Sequence, residues 1–367
     1  MGSDLILVIV VATALAFDFT NGFHDTANAV ATLISTRALS PRLAVGMSAV
    51  LNFVGAFVSI KVATTVGTGI VNAGASSTTI VFAGLIGAIG WNLVTWYFGL
   101  PSSSSHALIG GVVGATLAAK GADAVQGEGL VENVILPAII APVLALAVAA
   151  VAIVVAYRVA GRLRPGPASR GFRSGQLVTG GMLSFAHGTN DAQKTMGIIV
   201  LALIAHGNFT AANFHVPAWV MISSATAIAL GTYAGGWRII RTMGMRIIKM
   251  DSAQGLAAQA AGSAVILASS HFGYPLSTTH VISGAVMGAG AGKRLSAVRW
   301  GVAGNIAAAW VLTLPAAAAG GAVVYGLTRV FGTGPTGPLV VSLMAVALLA
   351  VVSARRLAEG RTLTAEG

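Results

Sequence analysis

The chain has no cysteine and little charge: Asp, Glu, Lys and Arg together make up 8% of its 367 residues. Missing thiols exclude disulfides and thiolate-held metal centres. A soluble domain carries about 25% charged residues, so this scarcity is incompatible with an ordinary water-soluble fold. The short alternating strands of an outer-membrane barrel are also missing. What is present is apolar. Hydrophobic residues are 56% of the chain and the mean hydropathy is +0.85, with repeated runs long enough, at roughly 20 residues, to span a bilayer as helices. The net charge of +11 comes from basic residues at the ends of apolar runs. That is the positive-inside pattern of a membrane protein and not a nucleic-acid footprint. The first run starts at Leu5 without a basic segment or a clean cleavage site, and reads as a retained span.

Polar residues inside such runs carry the information. Asn21-Gly22-Phe23-His24-Asp25-Thr26-Ala27-Asn28 interrupts the first apolar run, and His187-Gly188-Thr189-Asn190-Asp191-Ala192-Gln193-Lys194 does the same in the second half. Asp25 with Asn28, and Asp191 with Lys194, share a helix face at i,i+3 spacing. A carboxylate at membrane depth is costly, so it marks a functional site by default. Polar interruptions of this kind predict a first helix that is broken near mid-depth in each half.

A second pair of segments repeats as well. Pro101-Ser102-Ser103-Ser104-Ser105-His106 and Pro275-Leu276-Ser277-Thr278-Thr279-His280 each divide an apolar stretch in two, which reads as a re-entrant helical hairpin with a polar tip. Pro41 with Gly55 and Pro217 with Gly231 are further matched landmarks. The chain therefore divides into a first repeat over 1–157, a basic cytoplasmic linker over 158–175 (Arg158, Arg162, Arg164, Arg170 and Arg173), a second repeat over 176–335, and an extra span and tail over 336–367. With the linker and the other basic loops inside, the halves have opposite orientation. The expected fold is an all-α polytopic membrane protein of two inverted-topology repeats, each with a broken first helix and a re-entrant Ser/Thr-tipped helical hairpin, with a site at their interface.

The chemistry follows from the residue types. A half-helix that begins inside a membrane presents free N–H groups and the positive end of its dipole, which attract anions. Ser103, Ser104, Ser105, Ser277, Thr278 and Thr279 add hydroxyl donors, and two facing tips could surround a tetrahedral oxyanion. Asp25 and Asp191 repel an anion unless a cation or proton intervenes, so with Asn28 they read as coupling groups. Asn190 and Lys194 read as anion-facing, with Lys194 a built-in cation where the first copy has Asn28. His24, His106, His187 and His280 lie inside the motifs and could relay protons; each could equally be a hydrogen-bonded packing residue. Asp18 is either a second proton site or an entrance charge.

These duplicated motifs resemble the inorganic phosphate transporter (PiT) family, over almost the whole chain. The resemblance implies a secondary transporter of the inner membrane of a bacterium, importing inorganic phosphate by symport, commonly as a homodimer, and not an enzyme. No cofactor or bound metal is implied. Two departures matter: Lys194 stands where sodium-coupled members have a second Asn, and Asn52 where they tend to have Glu. An ammonium at a would-be sodium ligand favours H⁺ over Na⁺ as the coupling ion, as in the bacterial branch, which is implied to take phosphate partly as a complex with a divalent metal. A sodium-coupled symporter or a sulfate permease of the same architecture is the alternative. A lipid-pyrophosphate phosphatase fits less well, because each motif has one acidic residue and no arginine lies beside the tips.

Overall fold

The computed structural model describes residues 2–161, 165–332 and 334–365, so Arg162 and Arg164 of the predicted linker lie outside the described residues. The described chain is helical, with one isolated bridge between Val71 and Val125. In order, the helices are α1 (Gly2–Ser35), α2 (Pro41–Gly55), α3 (Lys61–Thr68), α4 (Thr78–Phe98), α5 (Ser104–Lys120), α6 (Gly127–Leu130), α7 (Leu136–Ala160), α8 (Pro165–His206), α9 (Ala218–Ala234), α10 (Trp237–Arg241), α11 (Ser252–Phe272), α12 (Thr278–Lys293), α13 (Trp300–Val330) and α14 (Thr336–Ala365). Four stretches, Asp4–Ser35, Thr78–Phe98, Gly127–Val159 and Trp300–Val330, are each long and apolar enough to cross a membrane. With the bent pair Ala218–Ala234 and Trp237–Arg246, they make this a multi-pass membrane protein.

The predicted breaks in the first helix of each half are not there. Helix α1 runs unbroken through Asn21–Asn28, and α8 runs for 42 residues through His187–Lys194. Most of the polar side chains find partners, within the helix as Asp191 does with Lys194 or across helices as Asn28 does with Thr279, so the backbone need not unwind to satisfy them. Helix α8 also begins at Pro165, so 165–175, read as linker, is its first three turns.

Two helical hairpins, α4–α5 and α11–α12, are built by the same local code. The first limb ends on a left-handed glycine, Gly99 (φ 64°) or Gly273 (φ 85°), where a side chain would be strained. Pro101 or Pro275 then prevents the helix from resuming. Ser103 or Ser277 opens the second limb by accepting a hydrogen bond from the N–H of His106 or His280.

The hairpins enter from opposite ends of α1. Thr78 and Lys120, the base of the first, line one cavity with Ile6 near the start of α1. Asp251 and Ser252, at the base of the second, line another with Ser35 and Thr36 at its end. That second base is closed by Lys293 Nζ, 2.9 Å from Asp251 Oδ2, and by the Tyr157 hydroxyl, which donates to the same oxygen at 2.6 Å. Burial pushes the Asp251 carboxyl up, but these two donors and the Gln254 N–H outweigh it and hold the group below the usual carboxylate range.

Each half braces the hairpin of the other. Gly114 of α5 touches α13 so closely that a Cβ would lie 1.9 Å from Ala318 O. Gly288 of α12 meets α7 likewise, with a Cβ 2.1 Å from Leu146 O. Small residues at such crossings let the backbones approach, which is how helices associate where no hydrophobic effect drives them. Between the hairpins, α1 and α8 pass through two apolar clusters, one containing Val10, Phe17, Phe82, Leu108 and Ile199, the other Val30, Leu33, Leu183, Ile266 and Ile282. The polar band of the chain lies between them.

Candidate functional site

The two hairpin tips meet in that band. Ser105 Oγ, in the first turn of α5, donates to Leu276 O of the opposite tip at 3.1 Å. The N-termini of α5 and α12 thus open onto one place, each with first-turn N–H groups that have no partner inside their helix. Ser103 and Ser277, predicted as anion ligands, place their oxygens on the His106 and His280 N–H groups at 3.1 and 3.2 Å, and so act first as caps that hold the tips.

The carboxylates are bound to the tips. Asp25 Oδ1 lies 2.7 Å from His24 Nδ1 and accepts from Ser104 at 3.2 Å and Thr279 at 3.4 Å. Asn28 donates to Thr279 at 2.9 Å and Thr278 at 3.3 Å. In the second copy, Thr278 donates to Asp191 Oδ2 at 3.0 Å, and His187 Nε2 stands 2.9 Å from the same oxygen. The Lys194 ammonium is bonded to Asp191 Oδ1, to Ser105 Oγ at 2.5 Å and to Leu276 O at 2.6 Å. One cation therefore joins α8 to both tips. Ligand atoms of Asp25, His187 and Asp191 all lie within 4.8 Å of one another, a spacing that suits a positive charge, and Lys194 supplies one from within the chain.

Around these bonds, other predicted residues reach partners beyond the tips and carboxylates. Asn190 donates to Ser270 Oγ at 2.9 Å and Tyr274 O at 3.1 Å, and so supports the second hairpin. His24 Nε2 meets Thr95 Oγ1 at 3.1 Å, and His187 Nδ1 meets Asn52 Oδ1 at 3.2 Å. His106 and His280 pack edge to face at 4.7 Å, with His280 stacked on Trp310 at 4.2 Å. That pair sits behind the tips, and neither ring is bonded to Asp25 or Asp191. Asp18 lies in the same buried band beside Thr195 and Asn21, with no partner at full hydrogen-bonding geometry. Sequence reasoning passed over Thr95, Thr195 and Ser270. Thr195 adjoins Lys194 in the motif and was within reach; Thr95 and Ser270 are single hydroxyls in apolar helices, without a pattern to mark them.

Every residue of the cluster is buried: Asp18 and Asp191 are 0% exposed, Asp25, Asn28 and Lys194 2%, and the tip hydroxyls 3% or less. The site is closed on both sides. An arrangement of paired helix N-termini, hydroxyl donors and one anchored ammonium, bounded by carboxylates, can hold an anion whose charge is partly neutralised.

Comparison with known proteins agrees with this architecture. The model of the phosphate transporter family matches residues 21–321. A probable low-affinity inorganic phosphate transporter of Mycobacterium tuberculosis (strain ATCC 25618 / H37Rv) is 53% identical over 330 residues, which is 90% of this chain and 79% of that protein. One from Bacillus subtilis (strain 168) is 43% identical over 323 residues, 88% of this chain and 96% of that protein. Among solved structures, one described as the sodium-dependent phosphate transporter superposes with a TM-score of 0.80 at 24% identity, covering 89% of this chain and 99% of that one, and so shares its fold. With the duplicated motifs brought to one buried site and the family match spanning both of them, the chain belongs to the phosphate transporter family.

Proposed function

We propose that this protein carries inorganic phosphate into the cell across a bacterial cytoplasmic membrane, in symport with protons. The observation that supports this most is Lys194: held by Asp191, Ser105 and Leu276, it stands between two helix N-termini as a cation that need not be imported. Phosphate entering between the tips would compete for the ammonium and for the hydroxyls of Ser104, Ser105, Thr278 and Thr279. Asp25 and Asp191 then repel the anion unless it arrives protonated, accompanied by protons, or complexed with a divalent metal as cargo. Because the tips touch each other at Ser105 and Leu276, release to either side requires one hairpin to part from the other. The relatives named above are described as transporters, which favours this over a phosphatase. A homodimer fits the same reading.

Sodium coupling is the second reading, favoured by the description of the structural neighbour and by the convergence of Asp25, His187 and Asp191. Labelled phosphate uptake into proteoliposomes, comparing an imposed proton gradient with an imposed sodium gradient, separates the two. Proton-driven accumulation indifferent to sodium is expected. Accumulation that requires sodium would overturn the proton reading, and sulfate uptake in preference to phosphate would overturn the substrate.

A further inference from the structure

Three carboxylates, Asp18, Asp25 and Asp191, are buried in one band with a single ammonium, Lys194. If all were ionised with His24 and His187 neutral, two negative charges would be left over before an anion arrived, in a medium where an unpaired charge costs several kcal/mol or more. Two of the three are provided for. Asp191 has Lys194, His187 and Thr278; Asp25 has His24, Ser104 and Thr279.

Asp18 is far less well provided for. Its side chain is 0% exposed, and neither carboxyl oxygen has a partner within strict hydrogen-bonding geometry; only Thr195 and Asn21 come near enough to interact weakly. The side chains nearest it are Thr195 and Asn21, and Thr195 Oγ1 and Asn21 Oδ1 are buried with no better-placed partner than Asp18. The charged groups acting on it are Asp191 and Lys194, both from α8. Lys194 is committed to Asp191 and the tips. On α1, His24 and Asp25 are bonded to each other. The other helices packed against α1 near this level, α4 and α9, contribute no Asp, Glu, Lys, Arg or His.

Four oxygens from three residues are thus buried close together without strong donors, and most of them can only accept. Atoms of this kind are brought together by something that carries positive charge. A metal cation would need its hydration shell replaced by surrounding oxygens, and four are few. A proton needs one lone pair, and once bound it gives Asp18 a hydroxyl to donate to Asn21 or Thr195. Asp18 lies seven residues before Asp25 on a continuous helix, about 10 Å along its axis, away from the Ser35 end and its basic loop. With that loop inside, Asp18 stands on the outer side of the tips, where an imported proton arrives first.

We infer that Asp18, flanked by Asn21 and Thr195, is the residue that carries the transported proton, separately from the Lys194–Asp191 pair at the anion site. This rests on the proton-symport reading above. Binding places the proton on a carboxylate oxygen, and release on the far side restores the carboxylate, with no other bond changed.

The test uses the full-length protein in proteoliposomes. For Asp18→Asn, accumulation driven by a pH gradient should fall about tenfold or more, while exchange of labelled for unlabelled phosphate at equal pH stays within about threefold of wild type. Asp18→Glu should recover accumulation. Thr195→Val, which keeps the shape but removes the facing hydroxyl, should shift the pH dependence of uptake, and it serves as the test if Asp18→Asn does not fold. Undiminished accumulation by Asp18→Asn, an unshifted profile for Thr195→Val, or loss of exchange in both Asp18 variants at unchanged Tm would each overturn the assignment. If wild-type accumulation follows sodium and ignores the pH gradient, the coupling reading itself fails; if it follows protons and Asp18→Asn does not alter it, only the role of Asp18 fails.

Discussion

Lys194, on α8, donates to Ser105 Oγ in the first turn of α5 at 2.5 Å. This bond spans the two halves of the chain, and with the bond to Leu276 O it makes one side chain the common anchor of both hairpin tips. The same ammonium neutralises Asp191, so its removal has two separable effects.

Lys194→Met should abolish phosphate accumulation and also leave Asp191 as an uncompensated buried charge, which costs about 3–5 kcal/mol. The double variant Lys194→Met/Asp191→Asn should recover much of the thermal stability but none of the transport. Melting temperature and uptake measured on both variants check this. Uptake regained in the double variant would show that the ammonium is needed only to balance Asp191.

The tip hydroxyls should fall into two groups. Ser103→Ala and Ser277→Ala remove helix caps, costing about 1 kcal/mol each, and should lower the melting temperature with a modest effect on KM. Ser104→Ala and Thr279→Ala remove hydroxyls that end on Asp25, and should raise KM for phosphate several-fold with little change in stability. Melting curves and uptake kinetics on the four variants separate the groups; equal KM effects across all four would merge them.

Asp251 should make the second hairpin sensitive to acid. Its folded carboxyl is held below the ordinary range by Tyr157, Gln254 and Lys293, so its contribution is present above the unfolded value of about 4 and is lost as pH falls through the folded one. Asp251→Asn should therefore melt earlier than wild type at neutral pH, and the two should converge in acid. A gap that does not change with pH would contradict this account of the clasp.

Much of this was legible in the chain before any coordinates. The hairpins were written in residues with one mechanical meaning, a left-handed glycine, a proline and a capping serine, and the family resemblance rested on those same segments. The breaks expected in α1 and α8 did not appear, because the polar residues there satisfy one another across helices, as Asn28 does with Thr279 and Lys194 with Ser105. Sequence shows that a side chain is polar but not whether its partner is its own backbone or another helix. The bracing role of Asn190 was hidden for that reason: its motif position matches His24, but its amide also donates to Ser270 and Tyr274 O. The sparse surroundings of Asp18 were equally invisible, since only packing determines how few well-placed partners a buried carboxyl has.

The central claim is that the anion is held between the two tips with Lys194 as its cation. An experimental structure at saturating phosphate tests it most directly. The account predicts phosphate within hydrogen-bonding distance of Lys194 Nζ and of hydroxyls or first-turn N–H groups from both α5 and α12. Phosphate bound elsewhere, or held by one tip with Lys194 still fully engaged by Asp191, Ser105 and Leu276, would contradict it.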